Sequence, residues 1–476
     1  MSRKPFLGRR RARRERQERR RRDESTALDR LYGTEFESFP FPVPEQVDER
    51  TAGACLRFVL RHARELFLAG AETQAIEAAV IAITARWRMD NVSVDITSRT
   101  VQAQYAPEGV TPLMMLTVTG SEDSRDLDQL DQLHSLTRYI LRADMSPTAA
   151  ERALNQIISR KGVWPWWSSV LGGALLAAML CVLASGTLKA ALFSPLVFVI
   201  SNRVSWALGK SGFQSFYVTA LQTACAIGSA LLLADARVLT GGEAASVAAA
   251  NVVILLPILS LVSMVEDAIS GFRSMASGRI ISVGLFFAAM VAGVVLVGFL
   301  LRHSDLQARD TAFRSLPLAA TLLTSAIGSL GNAVFMGGPP RLLPWAVAGG
   351  VLAGFVNNGT QQYLDQPTPI ATLTGAVVLG AAAGAVSPSL RLPARSLVVP
   401  GVAGALLPGP DVYRSLLQAA LHVSGAGSYA LIAFVATAAI GVGSVLGNSL
   451  GNAAQREWRP RVRTPRNGSA SSAGRG

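Results

Sequence analysis

Residues 280–301 read IISVGLFFAAMVAGVVLVGFLL, an apolar run without a charged side chain. About 20 such residues in a helix span the hydrocarbon core of a bilayer. The same absence of charge recurs over 315–340, 342–364 and 366–390. Charged residues make up only 16% of the 476, against roughly 25% in ordinary soluble domains. This is the signature of a polytopic α-helical membrane protein, and it excludes a soluble enzyme, a fibrous chain and a wholly disordered chain. The remaining charge is crowded at the front: residues 3–22 hold twelve Lys or Arg against two Glu, within a net charge of +13.

Working outward, ten spans are expected, at 168–187, 190–208, 214–234, 245–265, 280–301, 316–336, 342–360, 369–388, 395–410 and 426–448. Two are weak alone, 190–208 because of Arg203 and 395–410 because Pro400 and Pro408 interrupt it. A five-span repeat supports both. The second span of each half has an early proline (Pro195, Pro344) and ends at Asn202 or at Asn357 and Asn358. The fourth carries an internal proline (Pro257, Pro400) followed by Glu266 and Asp267, or by Asp411. Five is odd, so the halves insert with opposite orientation, as in the 5+5 inverted repeats of secondary transporters. The membrane halves are set at 163–310 and 311–452.

Ahead of them, residues 1–50 read as a disordered basic tail, and 51–160 as a cytoplasmic α+β domain. Two helical stretches meet at Gly70, NVSVDITS (91–98) alternates as a strand does, and VQAQY (101–105) and LMMLTVTG (113–120) follow as strands. DLDQLDQLHSLTRYILRA (126–143) is an amphipathic helix, and Ser146-Pro147 opens another. WPWW (164–167) fits the membrane–water interface, with a Trp-rich packing corner as the alternative. Residues 453–476 form a second basic disordered tail. An even span count with basic tails places both termini in the cytoplasm of a cell (plasma) membrane protein. The N-terminal block is expected to touch anionic membrane lipid, and no specific nucleic-acid partner is expected. Cys55, Cys181 and Cys225 make no disulfide framework or zinc site, and no phosphate-binding GxxxxGK[ST] loop is present, so neither a cofactor nor ATP drive is expected.

LAGAETQAIEAAV (68–80), NVSVDITS and the 126–157 helices together resemble the soluble front end of the threonine/serine exporter family, and the likeness runs from about 52 to about 450. In LLPILSLVSMVEDAISG (255–271) the family's proline-glycine break before an Asp becomes Pro257-Ile258, with Glu266 added before Asp267; VVPGVAGALLPG (398–409) keeps both Pro-Gly pairs. The resemblance implies no enzyme but a secondary exporter of small hydroxy amino acids driven by the proton motive force. Some relatives divide the halves between two chains and are associated with dicarboxylate export, so another small metabolite such as a dicarboxylate is the alternative substrate. A membrane-anchored signalling or scaffold protein without transport is the alternative class, and a homo-oligomer stays open.

The expected substrate and proton pathway gathers Asp267, Glu266, Pro257, Pro400, Asp411, Arg203, Asn202, Asn251 and Asn357. Ionisable groups at membrane depth mark ion and substrate paths. Asp267 is the expected proton carrier, Asp411 fits a loop carboxylate better, and Arg203 either pairs with an acid or snorkels to the interface. The asparagines either line a wet cavity or bridge helices.

Overall fold

The computed structural model describes residues 27–458, apart from 32–33, 38, 46, 90, 108–110, 119–125, 144, 185, 301–315 and 421–425. The basic blocks before 27 and after 458 lie outside the described residues.

Asp48 starts α1 (Glu49–Leu68) by accepting the Thr51 N–H at 3.0 Å. Helix α2 (Thr73–Arg86) follows, then β1 (Val92–Ile96), β2 (Thr100–Tyr105) and β3 (Leu113–Val118), an antiparallel sheet with β2 central. Asp126 caps α3 (Leu127–Arg142) through the N–H groups of Asp128 and Gln129, and Ser146-Pro147 opens α4 (Pro147–Ser159). Phe58, Ile76, Tyr105, Leu133 and Ile140 fill the core.

Disorder over 1–50 does not hold for the second half of that segment. Leu31, in a 3-10 turn at Ala27–Leu31, and Phe36 are 1% and 3% exposed in that core, and Arg30 pairs with Glu77 of α2 at 2.7 Å. Burying a Leu or Phe side chain contributes about 1.5–3 kcal/mol, enough to hold a segment that lacks helical or strand periodicity.

The C-terminal part comprises α5 (Trp166–Leu183), α6 (Leu188–Lys210), α7 (Ser215–Asp235), α8 (Gly241–Leu255), α9 (Ile258–Ile269), α10 (Arg273–Leu300), α11 (Leu318–Phe335), α12 (Leu343–Tyr363), α13 (Thr368–Leu390), α14 (Ala394–Ala405), α15 (Gly409–Ala420) and α16 (Ala426–Trp458). Seven of these are long and apolar enough to cross a membrane, and α8 with α9, bent by 49° at Pro257, makes an eighth. Helix α12 misses that measure because Asn357, Asn358, Gln361 and Gln362 occupy its second half, and α14 and α15 are only 12 residues each. The helix expected to end at 448 continues to Trp458, into the segment read as a disordered tail.

The halves share a neighbour pattern. Helix α5 packs on α6, α6 on α8 and α7 on α10; likewise α11 on α12, α12 on α14 and α13 on α16. The leading helices α5 and α11 meet through Gly172 and Gly331, where a Cβ on either would stand 2.6 or 2.7 Å from the other's carbonyl oxygen.

Pro400 does not break its helix: it is buried inside α14, and the interruption falls at 406–408. Every proline removes one backbone bond and disfavours a helical predecessor; α14 continues through Val399-Pro400, buried in the bundle, and stops before Leu407-Pro408. With this correction the spacing improves, 62 residues from Pro195 to Pro257 against 64 from Pro344 to Pro408. Pro195 likewise lies inside α6 rather than at its start.

Candidate functional site

The N-terminal unit is bolted to the helical bundle. Asp131 on α3 pairs with Arg341, the Leu127 N–H donates to the Met336 carbonyl at 2.9 Å, and Trp164 Nε1 donates to the Gly338 carbonyl at 2.7 Å. Of the WPWW cluster, Trp164 is therefore a packing corner, while Trp166 and Trp167 are exposed.

A second contact builds the site. Helix α1 ends at Gly70, whose φ of +81° is open to glycine and strained for other residues. The left-handed turn sends Ala71, Glu72 and Thr73 toward the bundle, and a Cβ on Gly70 would stand 3.7 Å from Leu259 Cδ1 of α9. Glu72 occupies the cap position of α2, yet its side chain makes no capping bond.

Facing this loop, the end of α9 carries Glu266 and Asp267, and the first turn of α14 carries Arg395. Arg395 Nη1 donates to Glu266 Oε2 at 2.8 Å; its Nη2 donates to the Leu259 carbonyl at 3.1 Å and to the Ser263 hydroxyl. Asp267, 2% exposed, has Arg279 Nε of α10 at 3.2 Å. Buried charges persist only with such partners. Glu72, by contrast, has no ion pair among the described residues. Burial and the nearby Glu266 carboxylate push its carboxyl up to about 8, with Asp267 adding to this and Arg395 opposing it.

Three cavities surround this arrangement. A narrow one of about 70 Å³ is lined by Glu72, Thr73, Glu266, Asp267, Arg395 and Ser444, among others. The Thr73 hydroxyl, on a residue 1% exposed, faces the Asp267 carboxylate, and the Ser444 hydroxyl, on a residue 4% exposed, has no hydrogen-bond partner among the described residues. Glu72 and Arg395 also line a wider vestibule of about 430 Å³ between the N-terminal unit and α13, α14 and α16, with His134 and Glu35 on its far wall. A third cavity, about 310 Å³, holds Asn357, Asn358, Gln361, Asp411 and Arg414. It reaches Ala405 and Leu406 of α14, and the narrow cavity ends at Val402, so roughly one helical turn of α14 separates them.

The expected site residues divide accordingly. Glu266 and Asp267 lie in the charged cluster; Asp411 and Asn357 lie in the third cavity, where Asn357 Nδ2 donates to the Ala405 carbonyl at 3.4 Å. Asn251 is a bridge, donating to Ser194 Oγ at 3.1 Å and the Val247 carbonyl at 2.9 Å. Arg203 is exposed with its guanidinium 4.6 Å from the Trp166 ring centre, and Asn202 beside it lines none of the three cavities. Pro257 marks the α8–α9 break, while neither it nor Pro400 lines these cavities. Sequence reasoning missed Arg395 and Glu72. The available signal for Arg395 was the need for a cation opposite the two adjacent acids Glu266 and Asp267.

A helical bundle with seven or eight candidate membrane spans enclosing a charged cavity and an amide-lined cavity is a polytopic membrane protein. The chain belongs to the threonine/serine exporter family, a family of transporters and not of enzymes. A family model described as "Putative threonine/serine exporter" matches residues 57–301, and one described as "Threonine/Serine exporter, ThrE" matches 321–450. A "Probable threonine/serine exporter" of Mycobacterium tuberculosis is 23% identical over 416 residues, covering 85% of this chain and 78% of the relative. A "Threonine/serine exporter" of Corynebacterium glutamicum is 25% identical over 262 residues, covering 54% of this chain and 53% of the relative. No solved structure matches.

Proposed function

We propose that this protein is a secondary-active exporter of threonine and serine, driven by the proton motive force across the cell membrane. The observation that carries the substrate class is the lining of the narrow cavity: three acidic side chains, Glu72, Glu266 and Asp267, and the guanidinium of Arg395. The acidic groups offer partners for the ammonium end of a zwitterion, and Arg395 offers one for its carboxylate. A dicarboxylate could pair one end with Arg395 but would bring its other carboxylate against the acids. The unpartnered hydroxyl of Ser444 fits a hydroxylated side chain, because buried polar groups favour ligands that satisfy them.

The architecture proposed around this site is ten spans in two inverted halves, with α8–α9 and α14–α15 as the paired broken helices. The vestibule side, with the N-terminal unit and both basic tails, faces the cytoplasm and anionic lipid. Export then moves substrate from the vestibule past the apolar turn around Val402 and Leu406 into the amide-lined cavity. Glu266, Asp267 and Arg395 form the inner station, and Asn357 and Asp411 the outer one.

Purified protein in proteoliposomes is expected to take up labelled threonine and serine by counterflow, with succinate at background. Succinate counterflow exceeding that of threonine would reverse the substrate assignment. For topology, Arg20→Cys and Ala470→Cys, in a chain whose three native cysteines are alanine, are expected to resist an impermeant thiol reagent on intact cells. Labelling of either one alone would refute an even number of spans.

A further inference from the structure

We propose that Glu72, supplied by the N-terminal unit rather than by a membrane helix, is the proton-carrying group of the transport cycle. This rests on the proton-coupled export reading above and assigns its coupling residue. The geometry separates the three acids of the cluster. Glu266 has Arg395 at 2.8 Å and Asp267 has Arg279 at 3.2 Å, so each keeps its charge matched. A carboxylate held against a guanidinium gives up that pairing when it takes a proton. Glu72 sacrifices no such pair, since none is present among the described residues. It is also the acid that lines both the narrow cavity and the vestibule, so water in the vestibule can deliver or remove its proton.

The surroundings fix the direction of the exchange. Glu266 and Asp267 face Glu72 from α9, and Arg395 faces it from α14. Arg279 of α10 pairs with Asp267, His134 of α3 and Glu35 stand across the vestibule 2.8 Å apart, and among the described residues α16 lines the two cavities with uncharged side chains, Ser444, Asn448, Ser449 and Asn452 among them. With Glu72 ionised, the cluster holds three negative and two positive charges; with Glu72 protonated, it is balanced. The empty site therefore favours the protonated form, in keeping with a carboxyl raised to about 8. When an amino acid enters, neutral overall, its ammonium group turns to Glu72 and its carboxylate to Arg395, so the ionised Glu72 gains the partner it lacks in the empty site. The O–H bond of Glu72 then breaks, its proton passes to vestibule water, and the carboxylate keeps the electron pair. Substrate loading from the inside thus releases one proton to the inside, the stoichiometric step an antiporter needs. The N-terminal unit, read from the sequence as a separate appendage, becomes part of the coupling machinery.

The test uses the full chain in proteoliposomes and labelled threonine. Wild-type protein is expected to show threonine movement that depends on pH and accumulation driven by an imposed pH gradient, with proton flux reported by a trapped pH dye. Glu72→Gln should lower gradient-driven accumulation by about tenfold or more and leave any residual threonine movement flat between about pH 6 and pH 9. Glu72→Asp keeps a carboxyl but retracts it, so gradient-driven accumulation should return with the pH midpoint displaced by about half a unit or more. A merely structural role would leave that midpoint in place. Gradient-driven accumulation that survives Glu72→Gln, or an unmoved midpoint in Glu72→Asp, overturns the assignment. Net threonine movement down its own gradient without any proton flux in the wild type also overturns it while leaving amino-acid export intact. Absence of threonine counterflow in the wild type is the separate failure of the export reading itself.

Discussion

Replacing Arg395 by Met is expected to abolish threonine counterflow and to destabilise the helical bundle by about 3–5 kcal/mol, the usual consequence of removing one partner of a buried ion pair. Arg395 is 6% exposed and holds three groups at once: the Glu266 carboxylate, the Leu259 carbonyl and the Ser263 hydroxyl. All three belong to α9, whereas Arg395 belongs to α14, so this side chain ties together the inner segments of the two broken helices. Removing it strands the Glu266 carboxylate beside Glu72 and Asp267, with Arg279 the remaining cation of the cluster among the described residues. The stability and transport roles can be separated. Glu266→Gln combined with Arg395→Met removes both buried charges, so it should recover most of the lost thermal stability, measured as the survival of a monodisperse peak after heating in detergent. The double variant should still fail to transport, because the only cation lining the narrow cavity is gone. Counterflow restored in the double variant would show that Arg395 serves folding alone.

The same ion pair explains what the sequence concealed. The membrane spans were legible because the absence of charge over 20 or more residues is a one-dimensional property, set by bilayer thickness. The strands and caps of the N-terminal unit were legible for a similar reason: period-two alternation at 91–98 and Ser146-Pro147 act over a few residues. Glu266 and Asp267 stood out as adjacent acids at the end of a span. Arg395 did not, because its partner is 129 positions away in the sequence. Glu72 was hidden by a different confusion. An acid after a glycine at a helix start is commonly a cap, and only the three-dimensional approach of Gly70 to Leu259 reveals that this one faces a membrane helix instead. The misplaced second break has a local cause. Pro400 and Pro408 both follow apolar residues, and which of them interrupts the helix is decided by packing: Pro400 is buried in the bundle, while Pro408 borders the third cavity.

Gly447→Leu is expected to be the most damaging single change in the second half, leaving little or no monodisperse protein after membrane extraction. Helices α13 and α16 lie against each other along their length, and glycines line both sides of the contact: Gly380 and Gly384 on α13, Gly443, Gly447 and Gly451 on α16. Spacing of four residues places them on one stripe, the small-residue pattern that lets membrane helices approach backbone to backbone. In lipid there is little hydrophobic drive between helices, so this close packing supplies much of the association. A Cβ on Gly447 would stand 2.1 Å from the Val377 carbonyl oxygen and 2.7 Å from the Ala381 nitrogen; on Gly451, 2.2 Å from the Ala381 carbonyl oxygen. These are backbone atoms inside a helix and cannot rotate aside, so even overpacking that ordinarily costs about 1–3 kcal/mol must be met here by moving a whole helix. The displacement reaches the site directly. Asn448 follows Gly447 and lines both the narrow cavity and the vestibule, and Ser444 lies one turn earlier. Gly447→Ala should accordingly retain assembly better than Leu while reducing threonine counterflow, through the shifted cavity wall. Gly427→Leu is the matched control, on the same helix with open space at its Cβ, and should behave as wild type. Normal yield and transport in Gly447→Leu would mean that α13 and α16 do not meet along this stripe.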